Sequence, residues 1–258
     1  MAGPATRALP SWIEWLVPRP GRDRVAALTG ISGDDWREVA AAFPDLPTDP
    51  GSAAARARAR LHRLAARAQA TGRWNVRVEG EPPAAAPAVY VTAHLGALQA
   101  LRYVLRARGI AAASVIGPFN LDRTDPARAD RVFDRRHPLG FPHALPSGAP
   151  HRLRSALRTG SLIAAADLPG ARCVDAPLLG GTVRLDPRPF RLARATGVVC
   201  RAIFLTLPPG GWTLSIGPAL PEDEPSALEG FAGLFAAAAA RAPLDLDGVV
   251  YRSLARRS

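Results

Sequence analysis

Lysine is absent from this chain, and all 33 of its basic residues are arginine. A bias that complete is compositional, so only part of the formal net charge of +11 counts as a functional signal. What remains favours anionic partners such as phosphates, a carrier protein or a membrane surface. Cysteine is nearly absent as well. Cys173 and Cys200 are too few for a disulfide scaffold or a cysteine-rich zinc site, and they suit a reducing compartment. Long apolar runs are missing. The longest candidate, 231–240, makes about three turns of alanine-rich helix, short of the roughly 18 apolar residues of a spanning segment. Residues 1–15 lack a charged stretch followed by a long apolar one, so no signal peptide is expected. There is no Walker or dinucleotide fingerprint, and Gly210-Gly211 reads as a turn. His137, His143 and His151 fall in a proline-rich loop without supporting carboxylate or cysteine spacing. Neither a metal nor a cofactor is expected, and nucleic-acid binding has only the charge behind it.

What is present is globular. The 258 residues are 48% hydrophobic and 21% charged, enough for a substantial core. The chain divides at a change of texture. Residues 1–72 read as a helical N-terminal segment, broken by prolines at 44–51 and carrying Arg56, Arg58, Arg60, Arg63 and Arg67 on its second helix. That basic face is read first as a solvated one, with anionic head groups or an acidic carrier as the alternative.

Residues 73–258 alternate short apolar β-type runs with helical stretches. Strands are expected at 88–93, 111–116, 161–166, 198–207 and 212–217, with a hairpin signal at Pro208-Pro209-Gly210-Gly211. Helices are expected at 96–108, 125–136, 153–159, 187–196 and 226–241, and 137–151 is excluded as a helix by its regular prolines. The pattern predicts an α/β fold: a mixed, largely parallel sheet flanked by helices.

His94 is the first candidate for chemistry. It lies between a buried strand and a helix, at the carboxyl edge where open α/β sheets bind ligands. A histidine there can act as a general base near neutral pH.

Its surroundings, Val91-Thr92-Ala93-His94-Leu95-Gly96-Ala97-Leu98-Gln99, resemble the first motif of the lysophospholipid acyltransferase superfamily. More narrowly they are similar to the lipid A lauroyl/myristoyl branch, which reads H-x-G-N-W-E. His94 and Gly96 match, and Gln99 stands where the branch has its carboxylate. Further similarities follow in order: 74–81 (WNVRVEGE), 157–163 (LRTGSLI), Asp167 within 166–170, 177–181 (PLLGG) and 192–198 (LARATGV). They span about residues 73–258. The resemblance implies acyl transfer from a thioester, on acyl carrier protein or coenzyme A, to an alcohol or amine acceptor in lipid or specialised-metabolite biosynthesis. His94 would be the base and Gln99 its orienting partner. Backbone N–H groups at Gly180, Gly181 and the helix start after His94 would meet the oxyanion, and Asn120, Arg136 and Asp167 would line the substrate site. The implied setting is cytoplasmic, with peripheral contact at the inner face of the cell membrane.

Three departures are read from the sequence, one of them the lack of the N-terminal membrane anchor expected of the lipid A branch; together they point towards a divergent, specialised-metabolite member. Gly117 stands where relatives carry an arginine, which points away from a phosphorylated glycolipid acceptor. Gln99 is neutral and cannot stabilise an imidazolium as a carboxylate does. Three readings follow from Gln99. A nearby acid, Asp167 first among them, substitutes; the acceptor is a better nucleophile such as an amine; or the fold is catalytically silent and binds an acyl chain or carrier protein.

Overall fold

The computed structural model describes residues 76–84, 86–117, 140–167, 172–208, 212–242 and 245–246. The expected helices of 1–72 and of 125–136, together with Asn120 and Arg136, lie outside the described residues, as does the side chain of Gln99.

Nine strands and four α-helices are described. In chain order they are β1 (Arg77–Gly80), β2 (Ala88–Thr92), α1 (Leu101–Arg106), β3 (Ala112–Ile116) and β4 (Ala144–Pro146). There follow α2 (Pro150–Ala156), β5 (Ser161–Ala165), β6 (Val174–Leu178), β7 (Gly181–Leu185) and α3 (Arg188–Thr196). Then come β8 (Val199–Thr206), β9 (Thr213–Ala219) and α4 (Glu224–Arg241). Seven strands form one sheet in the order β1-β9-β8-β2-β5-β3-β4. All neighbours in it are parallel except β8 and β9, which form the antiparallel hairpin. The fold is α/β, as the sequence pattern predicts.

β2 shows why the sheet needs two covers. Every residue of its AVYVT run is buried. Successive side chains on a strand point to opposite faces. Val89 and Val91 accordingly join one apolar cluster with Phe190 and Ala193 of α3 and Phe231 and Phe235 of α4. Ala88 and Tyr90 join the other, with Leu101, Val104 and Leu105 of α1 and with Trp212. Helices on both faces are the usual condition for a parallel sheet.

Several boundaries differ from the sequence expectation for identifiable reasons. The helix expected at 96–108 begins late: a 3₁₀ turn at Leu98–Ala100 leads into α1. Residues 95 and 96 are held in isolated β-bridges to Leu246 and Leu205, so they are unavailable to a helix. The regular prolines of 137–151 predict no helix there, yet α2 opens on Pro150. A proline costs nothing in the first turn, where its missing N–H has no helical partner anyway. The same segment also supplies the edge strand β4, which pairs with β3. The β6–β7 hairpin was not anticipated. Its two-residue loop, Leu179 (φ 48°) and Gly180 (φ 75°), has positive φ at both positions, the backbone of a type I′ turn. Leucine in the first position conceals that turn in the sequence, because asparagine, aspartate or glycine is the usual signal.

Burial also separates the two cysteines. Desolvation pushes the Cys200 thiol up to about 12, so it stays protonated across the ordinary pH range. Cys173 is only half-buried. A thiol-alkylating reagent at mildly alkaline pH is expected to label Cys173 and spare Cys200 until denaturant is added. Peptide mass mapping of the labelled chain checks this, and rapid labelling of Cys200 in the folded protein would contradict it.

Candidate functional site

The site forms where two adjacent strands end. β2 and β5 run parallel with Thr92 opposite Ala165, and the Ala166 N–H donates to the Thr92 carbonyl at 2.8 Å. Each strand is followed by one buried alanine, Ala93 or Ala166, and then by a polar residue, His94 or Asp167. The equal offset brings His94 and Asp167 to the same level on neighbouring strands, which are about 4.8 Å apart in a sheet.

This is also where the chain changes direction across the sheet. From β2 it passes through α1, on one face, to β3; from β5 it passes through α3, on the other face, to β8. Parallel crossovers keep one hand, so crossovers moving in opposite directions must use opposite faces. His94 and Asp167 therefore sit at the switch point of the sheet, the ordinary place for a ligand in an open α/β sheet.

Asp167 grips His94 twice. Its Oδ2 accepts the His94 backbone N–H at 2.7 Å, and its Oδ1 lies 2.9 Å from Nδ1 of the ring. The Asp167 side chain is fully buried, whereas 16% of the His94 side chain remains exposed. An ionised carboxylate only accepts hydrogen bonds, so opposite it Nδ1 is the donor, and a neutral ring would then carry its lone pair on Nε2. Clamping the ring to its own backbone through one carboxylate also fixes its rotamer. The arrangement has the orienting half of a Ser-His-Asp triad, in which the acid holds the imidazole in the useful tautomer.

The turn carrying His94 is anchored from two sides. The Ala97 N–H donates to the Leu205 carbonyl of β8 at 2.8 Å, and the Gly96 N–H donates to the Asp245 carbonyl at 2.7 Å. Asp245 is itself buried, and its Oδ2 accepts the Leu207 N–H at 2.6 Å. Gly96 sits at φ +70°, and a Cβ there would lie 2.1 Å from the Leu205 carbonyl oxygen. Only glycine allows that approach together with that backbone conformation. This is the physical role of the glycine two positions after the histidine.

The anchoring revises the expected oxyanion donors. The His94 N–H is taken by Asp167, that of Leu95 by the Ala93 carbonyl at 2.7 Å, and those of Gly96 and Ala97 as above. The four amides from His94 through Ala97 are therefore committed within the protein. Gly180 and Gly181 form the tip and first strand residue of the β6–β7 hairpin. That tip lies a strand length along the chain, roughly 16 Å at ~3.3 Å per residue, from Asp186, whose N–H reaches the Ala166 carbonyl beside Asp167. The structure thus unites His94 with Asp167 and leaves Gly180 and Gly181 at the far end of a separate hairpin. Asp167, expected to line the substrate site and also offered as the acid that substitutes for a carboxylate at Gln99, lies against the His94 ring. Gln99 lies within the 3₁₀ turn that follows His94.

Asp245 escaped the sequence reading. Its surroundings, Pro243-Leu244-Asp245-Leu246-Asp247, look like an ordinary loop, and nothing local marks one aspartate as buried.

No protein-family model matches the chain, and no curated protein does. Among the described residues, no helix is long and apolar enough to cross a membrane.

Proposed function

We propose that the protein is an acyltransferase that moves an acyl group from a thioester to a hydroxyl or amine, with His94 as general base and Asp167 as its orienting acid. One observation carries the reading. A buried carboxylate holds the ring of His94 by Nδ1 at the sheet's carboxyl edge. The resemblance of the residues around His94 to the lysophospholipid acyltransferases supplies the reaction class, and the dyad answers its main difficulty, the neutral Gln99.

The chemistry follows from the tautomer. Nε2 of His94 takes the proton from the acceptor's O–H or N–H while that heteroatom bonds to the thioester carbonyl carbon. The resulting imidazolium is stabilised by Asp167. The tetrahedral intermediate then expels the thiolate as the C–S bond breaks, and His94 returns its proton to the sulfur. The donor is an acyl thioester of a carrier protein or coenzyme A, and no step draws on a metal or cofactor.

A second reading, a catalytically silent protein of this fold that binds an acyl chain or a carrier protein, is favoured by a different observation. The amides of residues 94–97 are all committed, so the turn bearing the base does not itself offer them to an oxyanion.

The test is product mass spectrometry. Purified full-length protein is incubated with acyl thioesters and a panel of hydroxyl and amine acceptors. An acylated acceptor that requires the protein is the expected result. Absence of product with every donor class, alongside saturable binding of the thioester, would establish the silent reading instead. Gln99→Glu is expected to retain esterification, because Nδ1 already has its carboxylate in Asp167.

A further inference from the structure

Two half-buried arginines on α1 have no carboxylate partner among the described residues. Arg102 and Arg106 lie one helical turn apart on α1, so they share a face. Both converge on Tyr103: their guanidinium carbons lie 4.8 and 5.4 Å from its ring centroid. Nη2 of Arg102 donates to the Tyr103 hydroxyl at 3.1 Å, while its buried Nε has no hydrogen-bond partner. The His143 ring lies 5.8 Å from that of Tyr103. All four side chains are only partly exposed.

Among the described residues, Arg77, Arg184, Arg188, Arg191, Arg201 and Arg241 all have carboxylate partners. Arg108 donates to the Val76 and Val104 carbonyls, and Arg152, Arg154, Arg158, Arg172 and Arg194 are exposed to solvent. Arg102 and Arg106 are half-buried and, among the described residues, have neither a carboxylate nor a carbonyl. Like charges at this helical spacing repel, and cations drawn partly out of water are ordinarily paired. An anion between them removes both penalties. A guanidinium presents a fork of N–H groups that fits phosphate, and a phosphate ester offers several terminal oxygens to share between two forks and a phenol. The turn of helix separating the two arginines, about 6 Å, is a distance that one tetrahedral oxyanion with a hydrogen bond on each side can bridge.

We propose that Arg102, Tyr103 and Arg106, beside His143, form a binding site for a phosphate group. α1 starts directly after the anchored turn of His94 and runs back along one face of the sheet, and His143, just before β4, is level with Ala113 and Val89. A phosphate held there therefore lies about five strand residues from His94, roughly 16 Å, a gap for the extended pantetheine arm of a thioester donor to span. On the acyl-transfer reading, on which this assignment rests, the site holds the phosphate of a phosphopantetheine-type thioester donor.

Two measurements keep the site and the reaction separable. The first is calorimetric titration of the full chain with inorganic pyrophosphate. Saturable binding is expected, about tenfold or more weaker for each of Arg102→Gln and Arg106→Gln. It should be unchanged in Arg158→Gln, an exposed arginine on the same molecule. Thermal melts of the variants establish that they are folded. Equal binding by the wild type and the double variant, or an equal loss in Arg158→Gln, overturns the site. The second compares acyl-pantetheine, acyl-phosphopantetheine and acyl-coenzyme A as donors. The two phosphorylated donors are expected to share a lower KM than acyl-pantetheine, and that advantage should vanish in the double variant. An advantage that survives the double variant overturns the donor assignment. Pyrophosphate binding lost in the variants, with no donor turned over by the wild type, leaves the anion site standing and removes the acyl-transfer reading alone.

Discussion

Exchanging Asp167 for asparagine is expected to reduce acyl transfer by about 10⁴-fold, the size of effect seen when the orienting acid of a Ser-His-Asp triad is neutralised with its geometry kept. The cause is the count of acceptors. Asp167 uses one oxygen for the His94 N–H and the other for Nδ1. Asparagine retains one acceptor oxygen and offers an NH₂ group in place of the other. With its oxygen on the backbone N–H, the amide NH₂ faces Nδ1 and drives the proton to Nε2, which then cannot accept one from the acceptor. Nitrogen-15 NMR of the imidazole reads this without any assumption about substrate: the Nδ1–H form is expected in the wild type and the Nε2–H form in Asp167→Asn. Asp167→Ala removes both acceptors, and leaving the part-buried His94 N–H without a partner costs roughly 1–3 kcal/mol of stability. His94→Ala is expected to abolish transfer. Normal turnover in either His94→Ala or Asp167→Asn would reject the proposed roles.

Gly96→Ala is expected to be the most damaging single methyl in the site. An L-residue in the left-handed region costs about 1–2 kcal/mol, and forcing extra volume against packed structure adds typically 1–3 kcal/mol. Here the added Cβ would meet a backbone carbonyl, that of Leu205, which is already fixed in β8. The turn must lift, and with it go the Gly96 and Ala97 hydrogen bonds that anchor His94 to Asp245 and to β8. A fall in melting temperature of roughly 5–15 °C is expected, at about 2–4 °C per kcal/mol for a chain of this size. Catalysis should fall further than stability, because small displacements of a catalytic group are costly. Gly148→Ala is the control, since a Cβ there meets nothing within 4 Å. An equal effect at both positions would mean that the close approach to Leu205 is unimportant.

Features set by neighbouring residues are legible in the sequence, and those set by distant ones are not. β2 was legible because a buried run of five residues, four of them β-formers, has few other places to go, and α3 because Pro187 and Gly197 bracket it. Gly197 adopts the left-handed conformation that ends the helix. The β6–β7 hairpin was illegible because Leu179 occupies a turn position that its side chain does not favour. The start of α1 was misplaced because tertiary β-bridges, absent from any local pattern, hold residues 95 and 96 out of the helix.

The same division runs through the site. The sequence by itself settled the α/β class, and it singled out His94, since a strand end before a helix is a local and recognisable setting. It placed Asp167 at the end of another strand and offered it as one acid among several possibilities. Only the tertiary structure made the pair. His94 and Asp167 are 73 residues apart in the chain, and they meet because β5 inserts between β2 and β3, instead of adding at an edge. Strand order depends on how the two faces of the whole sheet are buried at once by helices from distant parts of the chain. That is a property of the assembled core, and no short stretch of residues carries it.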